Sequence, residues 1–412
     1  MGEKGEGTHR LRILLTKLIL KIIISRILLT FNNTKSIIIM RSITLFFISV
    51  CIILSCQQKK PQETVVKDWE IGPFVKVDSL NPILGPLETK WFCPMRQDSV
   101  MWEGKDIFNP CAVVREGKVY MLYRAEDFIG KHNGTSRIGL AVSEDGLHFE
   151  RYPMPVFYPE EDEFTNIEWE GGVEDPRIVE DENGIYYMTY TAYDGKQTWL
   201  CIATSEDLIV WRKHGVVFDE IDENLKITLS FKSGSIVSKL IDDKMIATKI
   251  NGKYWMYWNV GELYLSTSDD LIHWNPVMTE DGSYYAPALQ ARPDKLHVDN
   301  IMCEPGPAAL LTDKGILVFY NGISNGVPSA NGRPDGDALT WAGVQVLFDP
   351  TNPLKPIARA EDAFIRPEKN YEITGQVNSV TFIEGMVKFN GKWFIYYGTA
   401  DSYIAVAVAD AI

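Results

Sequence analysis

An aromatic strand pattern that recurs along the chain is the feature that most restricts its fold. In the first copy, GKVYMLYRAED from Gly117 to Asp127, β-branched and aromatic residues alternate after a turn, as in a buried strand that follows a hairpin. Further copies are NGIYYMTYTAYD from Asn183, NGKYWMYWNVGE from Asn251, KGILVFYNG from Lys314 and NGKWFIYYGTAD from Asn390. The copies recur at intervals of about 60–80 residues, which is too long for a solenoid turn and suits a four-stranded blade with long loops.

A second strand pattern follows three of these copies. The segments IGLAVSEDGLHFER, LCIATSEDLIVWRK and LYLSTSDDLIHWNP each combine an alternating strand, a serine-acid turn and an aromatic strand. Strands joined by short turns, with almost no helical periodicity after about residue 80, predict an all-β fold. We expect a five-bladed β-propeller, in which the loops of the innermost strands surround a central active-site depression. Taking the aromatic strands as the innermost ones places four side chains around this depression: Asp127, Glu262, Asn321 and Asp401.

The amino-terminal segment has the features of an export signal. An apolar run from Arg41 ends in Leu-Ser-Cys and resembles a bacterial lipobox, which predicts a lipoprotein signal peptide over residues 40–56 and lipidation of Cys56. Residues 1–39 are then an upstream mis-start, because Met40 directly precedes the run. The alternative is a two-span membrane anchor, although each apolar run is shorter than the ~20 residues that a span requires.

The segment after Cys56 predicts how the protein is anchored. Residues 57–80 are polar and lack periodicity, which predicts a flexible tether, and residues 81–412 are expected to form the propeller domain. The tether begins with QQKK rather than with an acidic surface-export tract. We therefore expect a lipid anchor in the outer membrane of a Gram-negative-type cell envelope, facing the periplasm.

Composition and missing motifs exclude several classes of function. The net charge of −14 and the lack of a basic patch after the tether argue against a nucleic-acid partner. The sequence contains no Gly-rich phosphate loop, no Gly-x-Ser-x-Gly elbow and no His cluster, so we expect no cofactor and no metal site. The carboxylates and aromatic side chains that remain suit the cleavage of sugars, which requires one protonated and one ionised carboxyl group.

Motifs along most of the chain, in the same order, resemble those of glycoside hydrolase family 130. They include FNPCAVVREGKVYMLYRAED, GGVEDPRIV, RPEKNYEITGQVNSVTF and YYGTADSYIAVA. The family consists of five-bladed propellers that act as inverting mannoside phosphorylases or β-1,2-mannosidases, so the resemblance implies a mannose-containing oligosaccharide as substrate. It also implies that Asp127 is the general acid, acting through a hydroxyl of the bound mannose. Asn109, Arg124 and Asp401 are implied to bind this mannose.

The resemblance further separates hydrolases from phosphorylases. Phosphorylases of the family hold phosphate with basic residues, of which this chain keeps only Arg177 in the EDPR motif. Trp199 and Trp258 stand where other phosphate ligands are expected, and tryptophan offers no charge to a phosphate dianion. The predicted substrate-binding set therefore includes Asp175, Arg177, Trp199, Trp258 and Asn321, while Glu174 is expected to have a structural or subsite-shaping role.

Glu262 and Glu304 are the candidates for the base that activates water. The residues alone leave open which of them is the base and which orients it. An inverting mechanism predicts that acid and base stand about 6.5–9.5 Å apart. The sequence thus predicts inverting hydrolysis of β-mannosides, with β-1,2-linked mannose as the expected substrate. Two alternatives stay open: a phosphorylase that uses Arg177 and lysines such as Lys249, and a non-catalytic sugar-binding lipoprotein.

Overall fold

The computed structural model describes residues 66–132, 134–218, 230–282, 284–294, 297–325 and 339–411. Within these ranges the chain is almost entirely β, and helix is confined to the single turns α1 (Thr165–Glu168) and α2 (Asn370–Ile373). The predicted all-β class is therefore confirmed. In the described part of the chain, no helix has the length and apolar character needed to cross a bilayer. The predicted upstream segment, the signal peptide and Cys56 lie outside the described residues.

The described strands form antiparallel groups that follow one another along the chain. Three strands come first: β1 (Val75–Lys76), β2 (Lys90–Cys93) and β3 (Asp98–Met101). The first group contains β4 (Asp106–Arg115), β5 (Lys118–Glu126), β6 (Ser136–Ser143) and β7 (Glu150–Arg151), and the second contains β8 (Gly172–Glu180), β9 (Tyr186–Tyr193), β10 (Thr198–Ser205) and β11 (Arg212–Val216). The third contains β12 (Ser235–Ile241), β13 (Lys244–Ala247), β14 (Tyr254–Trp258), β15 (Leu263–Ser268), β16 (Trp274–Pro276) and β17 (Pro287–Leu289). The fourth contains β18 (Met302–Pro305), β19 (Ala309–Leu311), β20 (Ile316–Asn325), β21 (Leu339–Asp349) and β22 (Asn352–Arg359), and the fifth contains β23 (Thr381–Phe389), β24 (Lys392–Thr399) and β25 (Tyr403–Asp410).

Two-residue turns set the register of the hairpins that the repeats predict. Both residues of each turn have positive φ, the conformation of the type I′ turns that match the twist of a hairpin. The turns are Glu116–Gly117, Asn251–Gly252 and Asn390–Gly391. Glycine in the second position of each turn takes this conformation without strain, so the repeated turn pairs of the sequence have a direct backbone cause.

Strand β5 shows how the alternating pattern divides core from site. Val119, Met121 and Tyr123 are fully buried and pack in one hydrophobic cluster. Arg124 and Glu126 point to the opposite face, where Arg124 Nη2 donates to Glu126 Oε1 at 2.7 Å. Since side chains of a strand alternate between its two faces, the same run supplies both core and polar surface.

The segment before residue 80 packs on the fourth and fifth groups. Strand β1 pairs with β25, with Val75 opposite Val408. The backbone N–H and C=O of Ile71 both bind the side-chain amide of Gln345, at 2.9 Å each. The compact unit that contains the described strands begins at Val66. The predicted tether boundary at residue 80 is wrong, because residues 66–80 are held by the sheet, and residues 57–65 lie outside the described residues.

The first strands of the groups contact one another. Strand β23 contacts β4, β4 contacts β8 and β8 contacts β12, while β12 pairs in parallel with β19 through Val237 and Ala309. Each aromatic strand pairs with the first strand of its group, as β5 does with β4, β14 with β12 and β20 with β18, and lies one position further out. The prediction that they are the innermost strands is therefore wrong, and the preceding strands bring the groups together.

Candidate active site

Polar side chains from several groups converge in what we call the carboxylate cluster. It contains Asn109, Arg124, Glu126, Glu174, Asp175, Lys232, Glu304 and Asp401. The cluster lies where the first strands β4, β8 and β18 approach the end of β5 and the loops before β12 and after β24. The fold thus brings together five of the predicted site residues, namely Asn109, Arg124, Asp175, Glu304 and Asp401.

Arg124 lies at the centre of the cluster. Its Nη1 donates to Asp175 Oδ1 at 3.2 Å, and its Nη2 lies 2.7 Å from Glu126 Oε1 and 2.9 Å from Glu174 Oε1. The guanidinium also stands 4.6 Å from the centroid of the Phe108 ring. Burial alone would lower the pKa of Arg124, but the surrounding carboxylates raise it well above its usual range. One permanent cation thus holds three carboxylates in place.

Asp175 occupies a strained backbone position next to Arg124. Its φ is 50°, a conformation that a non-glycine residue keeps only when its surroundings enforce it. The side chain accepts from Asn109 Nδ2 at 2.8 Å and from Lys232 Nζ at 3.3 Å. The register of β8 shifts between Glu174 and Arg177, and such bulges re-aim side chains next to active sites.

Two carboxyl groups of the cluster have pKa values that are raised toward neutral pH. Burial raises the pKa of Glu174 to about 7 and that of Asp401 to about 7. Asp175, in contrast, has its pKa lowered, because Lys232 and Arg124 outweigh the effect of burial. Glu174 and Asp175 are neighbours in the chain and titrate as a pair. At neutral pH Glu174 is therefore partly protonated beside an ionised Asp175, so the pair can supply a proton for acid catalysis.

Glu304 contacts Lys232, the lysine that also contacts Asp175. It is 3% exposed, and its Oε1 accepts from Ser233 Oγ at 2.5 Å and lies 3.5 Å from Lys232 Nζ. Because Lys232 Nζ lies 3.3 Å from Asp175 Oδ2 and 3.5 Å from Glu304 Oε1, these two oxygens are at most about 7 Å apart, within reach of one bound sugar. Two carboxyl groups are thus placed to act on one sugar.

Glu262 lies next to Glu304 through a backbone bridge. The peptide groups of Gly261 and Cys303 exchange hydrogen bonds of 3.0 and 2.9 Å, and each of these residues is adjacent to one of the glutamates. Glu262 Oε1 accepts from Gln290 Nε2 at 2.6 Å. Glu262 is more exposed than Glu304, so the two predicted bases occupy an outer and an inner position.

The guanidinium of Arg177 is enclosed by protein. It donates through Nε to Gly306 O at 2.8 Å and through Nη2 to Pro305 O at 2.7 Å, and Nη1 lies 3.3 Å from Glu384 Oε1. Its side chain is 1% exposed. The prediction that Arg177 contacts substrate is therefore corrected, because its donors are directed to backbone carbonyls and to Glu384.

The predicted general acid Asp127 lies outside the cluster. It is fully buried, and its Oδ2 pairs with Arg137 Nη1 at 2.8 Å. Its Oδ1 accepts from the backbone N–H groups of Ile129 and Thr135, both at 3.0 Å. The neighbouring Glu126, which points to the other face of β5, joins the cluster instead. The assignment of Asp127 as the acid is corrected, because both of its oxygens are committed to the protein interior.

The predicted sugar-binding Trp258 belongs to the hydrophobic core. It has no exposed surface and stacks on Phe231 with ring centroids 5.7 Å apart and planes 18° apart. Phe218 packs on it at 4.7 Å. The prediction that Trp258 binds sugar is therefore wrong, because its position at the end of β14 faces other aromatic side chains.

Asn321 lies opposite Glu304 in the pairing of β18 with β20, beside the cluster. Asn321 is fully buried, and its amide donates to Ile383 O at 3.0 Å while accepting from Ile383 N at 2.8 Å. Its side chain thus joins the fourth group to the fifth. Trp199 is partly buried and packs against the hydrophobic cluster of the first two groups. That Asn321 and Trp199 contact substrate stays a prediction.

Comparison with known proteins places this site in a family. Residues 89–411 match the family model Glyco_hydro_130, described as beta-1,4-mannooligosaccharide phosphorylase. The chain belongs to glycoside hydrolase family 130. The resemblance inferred from the motifs is therefore confirmed.

Relatives within the family carry names of both activities. A Beta-1,2-mannobiose phosphorylase of Thermoanaerobacter sp. (strain X514) is 31% identical over 81% of this chain and 96% of its own length. A solved glycosyl hydrolase from Bacteroides ovatus is 41% identical, with a TM-score of 0.76 over 84% of this chain and 95% of that one. A further structure is described by the words "The GH130 family of mannoside phosphorylases contains glycoside hydrolases that target beta-1,2 mannosidic linkages in Candida mannan". It is 42% identical, with a TM-score of 0.77 over 84% of this chain and 96% of that one.

Three residues of this GH130 site escape sequence reasoning. Glu126 could have been found from the alternation of β5, which puts it on the same face as Arg124. Lys232 and Glu384 lie in the segments SFKSGS and FIEGM, which match no repeat and carry no charge pattern. Only the folded chain shows that Lys232 contacts Asp175 and Glu304 and that Glu384 pairs with Arg177.

Proposed function

We propose that this GH130 protein is an inverting β-mannosidase that releases β-1,2-linked mannose. We also propose that its five strand groups are the blades of a five-bladed β-propeller, with the carboxylate cluster in the central depression. The contacts between successive first strands and the pairing of β1 with β25 support this architecture. The 42% identical relative, whose description concerns hydrolysis of β-1,2 mannosidic linkages, supports the substrate.

The observation that carries the choice of hydrolysis is the position of Lys232. Phosphate binding depends on charge-assisted donors that are free to face the dianion. Lys232 Nζ already lies 3.3 Å from Asp175 and 3.5 Å from Glu304, and Arg177 is turned into the protein. A phosphate placed at Lys232 would meet two carboxyl groups, whereas water would meet a base.

In the mechanism we propose, the Glu174–Asp175 pair supplies the acid. Glu174 holds the proton of the pair near neutral pH, and Asp175, which shares Lys232 with Glu304, takes up this proton and passes it to the substrate. The bond between C1 of the mannose and the leaving oxygen breaks while that oxygen gains the proton, directly or through a hydroxyl of the mannose. Water attacks C1 from the opposite face and gives its proton to Glu304. The product is α-mannose.

Glu262 and the arginine have supporting roles in this reaction. Glu262, held by Gln290, orients the attacking water from the outer position. Arg124 keeps Asp175, Glu126 and Glu174 in fixed positions. Substrate hydroxyls bind to the exposed edges of these groups and to Asp401.

The test is a product analysis with β-1,2-mannobiose in the presence and absence of phosphate. We expect mannose in both cases and α-mannose first by NMR. Mannose 1-phosphate formed only with phosphate would overturn the hydrolase in favour of the phosphorylase, which the name of the Thermoanaerobacter relative favours. Binding without either product would leave a sugar-binding protein. Lys249, the lysine named above as a possible phosphate ligand, donates from Nζ to Asp269 O, and this ammonium group lies 4.8 Å from the centroid of the Tyr254 ring.

We also propose that the mature protein begins at a lipidated Cys56 and is anchored in the outer membrane, facing the periplasm. The support is the Leu-Ser-Cys end of the apolar run. Cys56→Ala should release the protein from membranes. A mature protein that still starts before Met40 would refute the signal peptide, and protease treatment of intact cells would show which way the enzyme faces.

A further inference from the structure

The side chain of Arg177 joins three strands from different groups. Its own strand β8 carries Asp175, whose carbonyl oxygen lies 3.3 Å from Nη1. Nε and Nη2 donate to the carbonyls of Gly306 and Pro305, which directly follow Glu304 at the end of β18. One guanidinium therefore holds the backbone beside the proposed acid and the backbone beside the proposed base.

Glu384 of β23 completes this arrangement from the fifth group. It is fully buried, and Arg177 Nη1 lies 3.3 Å from its Oε1. Among the described residues, neither of its oxygens has a hydrogen-bond partner of good geometry. A carboxyl group whose one ion-pair partner in the described part of the chain is Arg177 is expensive to bury, which indicates a role beyond packing. Burial raises the pKa of Glu384 well above its usual range.

The peptide that Arg177 holds has little room to move. A Cβ atom at Gly306 would stand 2.9 Å from Phe319 O and 3.1 Å from Ile383 O. Ile383, next to Glu384, is fixed in turn by the side chain of Asn321. The acceptors of Arg177 are thus fixed by close backbone packing, and a shift of its guanidinium is transmitted to Asp175.

We propose that Arg177, oriented by Glu384, is a positioning residue that sets the separation between Asp175 and Glu304. The inference rests on the proposed function, in which these two residues are the acid and the base. This role of Arg177 in holding the acid and the base apart does not require that it bind phosphate. A misplacement of about 1 Å in a catalytic group lowers rates by about 10²-fold, so the spacing should appear in kcat more than in KM.

The kinetic test compares Arg177→Lys, Glu384→Gln and Glu384→Met in the full mature chain. Lysine cannot hold both carbonyls, so Arg177→Lys should lose about 10²-fold in kcat with KM little changed. Glutamine keeps an acceptor for Arg177 and should retain kcat, whereas methionine should lower it about tenfold or more. Rates are measured well below each variant's melting temperature.

Glu168→Gln is the matched control. Glu168 is also a fully buried glutamate, paired with Lys213 at 2.6 Å and with Tyr190 at 2.9 Å, outside the cluster. We expect it to lower the melting temperature and to leave kcat unchanged. A pure packing role for Glu384 would make Glu384→Met behave in the same way, and that result would overturn the proposal. If Arg177→Lys does not fold, the two Glu384 variants still decide.

A measurement without turnover separates this inference from the proposed function. In crystals of Glu384→Met, the distance between the carboxyl groups of Asp175 and Glu304 should differ from wild type, and in Glu384→Gln it should not. An unchanged distance in Glu384→Met would overturn the positioning role. Absence of mannose release by the wild type would refute the proposed function and leave this distance test valid.

Discussion

Two adjacent carboxylates at the end of β5 have opposite surroundings. Glu126 lies in the carboxylate cluster, bound to Arg124 at 2.7 Å and to Lys105 at 2.6 Å. Asp127 lies on the other side of the strand, with no exposed surface, in an ion pair with Arg137. A shift of one residue along a strand exchanges its two faces. An acidic residue in a motif therefore tells little about chemistry until its face is known.

The largest effect that would sharpen this contrast is expected at Asp175. Asp175→Asn removes the proposed proton donor, so kcat on β-1,2-mannobiose should fall by about 10²–10⁴-fold. Asp127→Asn should keep kcat near wild type at temperatures where the variant is folded. Initial rates below both melting temperatures provide the comparison. A larger loss of kcat in Asp127→Asn than in Asp175→Asn would show that Asp127 is the acid and that the face of the strand does not distinguish the two roles.

A large effect on stability is expected on the Asp127 side. Asp127→Asn leaves Arg137 buried without its anionic partner, which should lower the free energy of unfolding by about 3–5 kcal/mol. Urea denaturation followed by tryptophan fluorescence measures this change. Glu144→Gln is the control: Glu144 forms an exposed pair with Lys118, which should contribute no more than about 1 kcal/mol. Equal stability of both variants would contradict the buried position of Asp127.

A smaller effect is expected for Glu126→Gln. The substitution keeps the shape of the side chain and weakens its bonds to Arg124 and Lys105, which contribute about 1.5–3 kcal/mol when charged groups are involved. We expect KM for mannobiose to rise about tenfold through a loosened Arg124. Steady-state kinetics should show this rise in KM together with an unchanged kcat. An unchanged KM would show that Glu126 does not support the sugar site.

The smallest effect is a change in how stability depends on pH. The pKa of Glu174 is raised from 4.5 to about 7, so the folded state binds the proton more tightly and the free energy of unfolding should fall as pH rises between these values. Glu174→Gln should flatten this slope. Burial alone would raise the pKa of Glu126, but Arg124 and Lys105 lower it, so Glu126 should lose its contribution as pH falls below 4.5. Denaturation curves at several pH values should show opposite signs for the two variants.

Much of the fold could be predicted because it repeats. The turns at Asn251–Gly252 and Asn390–Gly391 and the alternation of β5 follow from local backbone preferences, which act within a few residues. The order of strands in space is different, because it depends on contacts between distant groups. The repeats therefore predict the aromatic strands but not their position, and the large side chains of these strands fill the space between sheets.

The site could be predicted only in part. The motifs led to Asn109, Arg124 and Glu304, which the fold brings together. They misplaced Trp258, because aromatic side chains are core residues as readily as sugar platforms. Lys232 could not be found, because its importance comes from contacts with residues about 60–70 positions away, and contacts at that separation leave no local sequence signal.

The pairing of β1 with β25 has a consequence for when this chain can fold. Val75 and Val408 stand opposite each other across a sheet, so the ends of the domain meet only after the entire chain is available. Closing such a long loop is slow, because the chain loses conformational entropy before the contact between β1 and β25 contributes any stability. During synthesis the edge of β24 or β25 stays unpaired, and unpaired edges can pair with strands of other chains. Maturation of the enzyme is therefore timed by its last residues, and a shortened carboxyl terminus should yield aggregates even though the carboxylate cluster is encoded earlier.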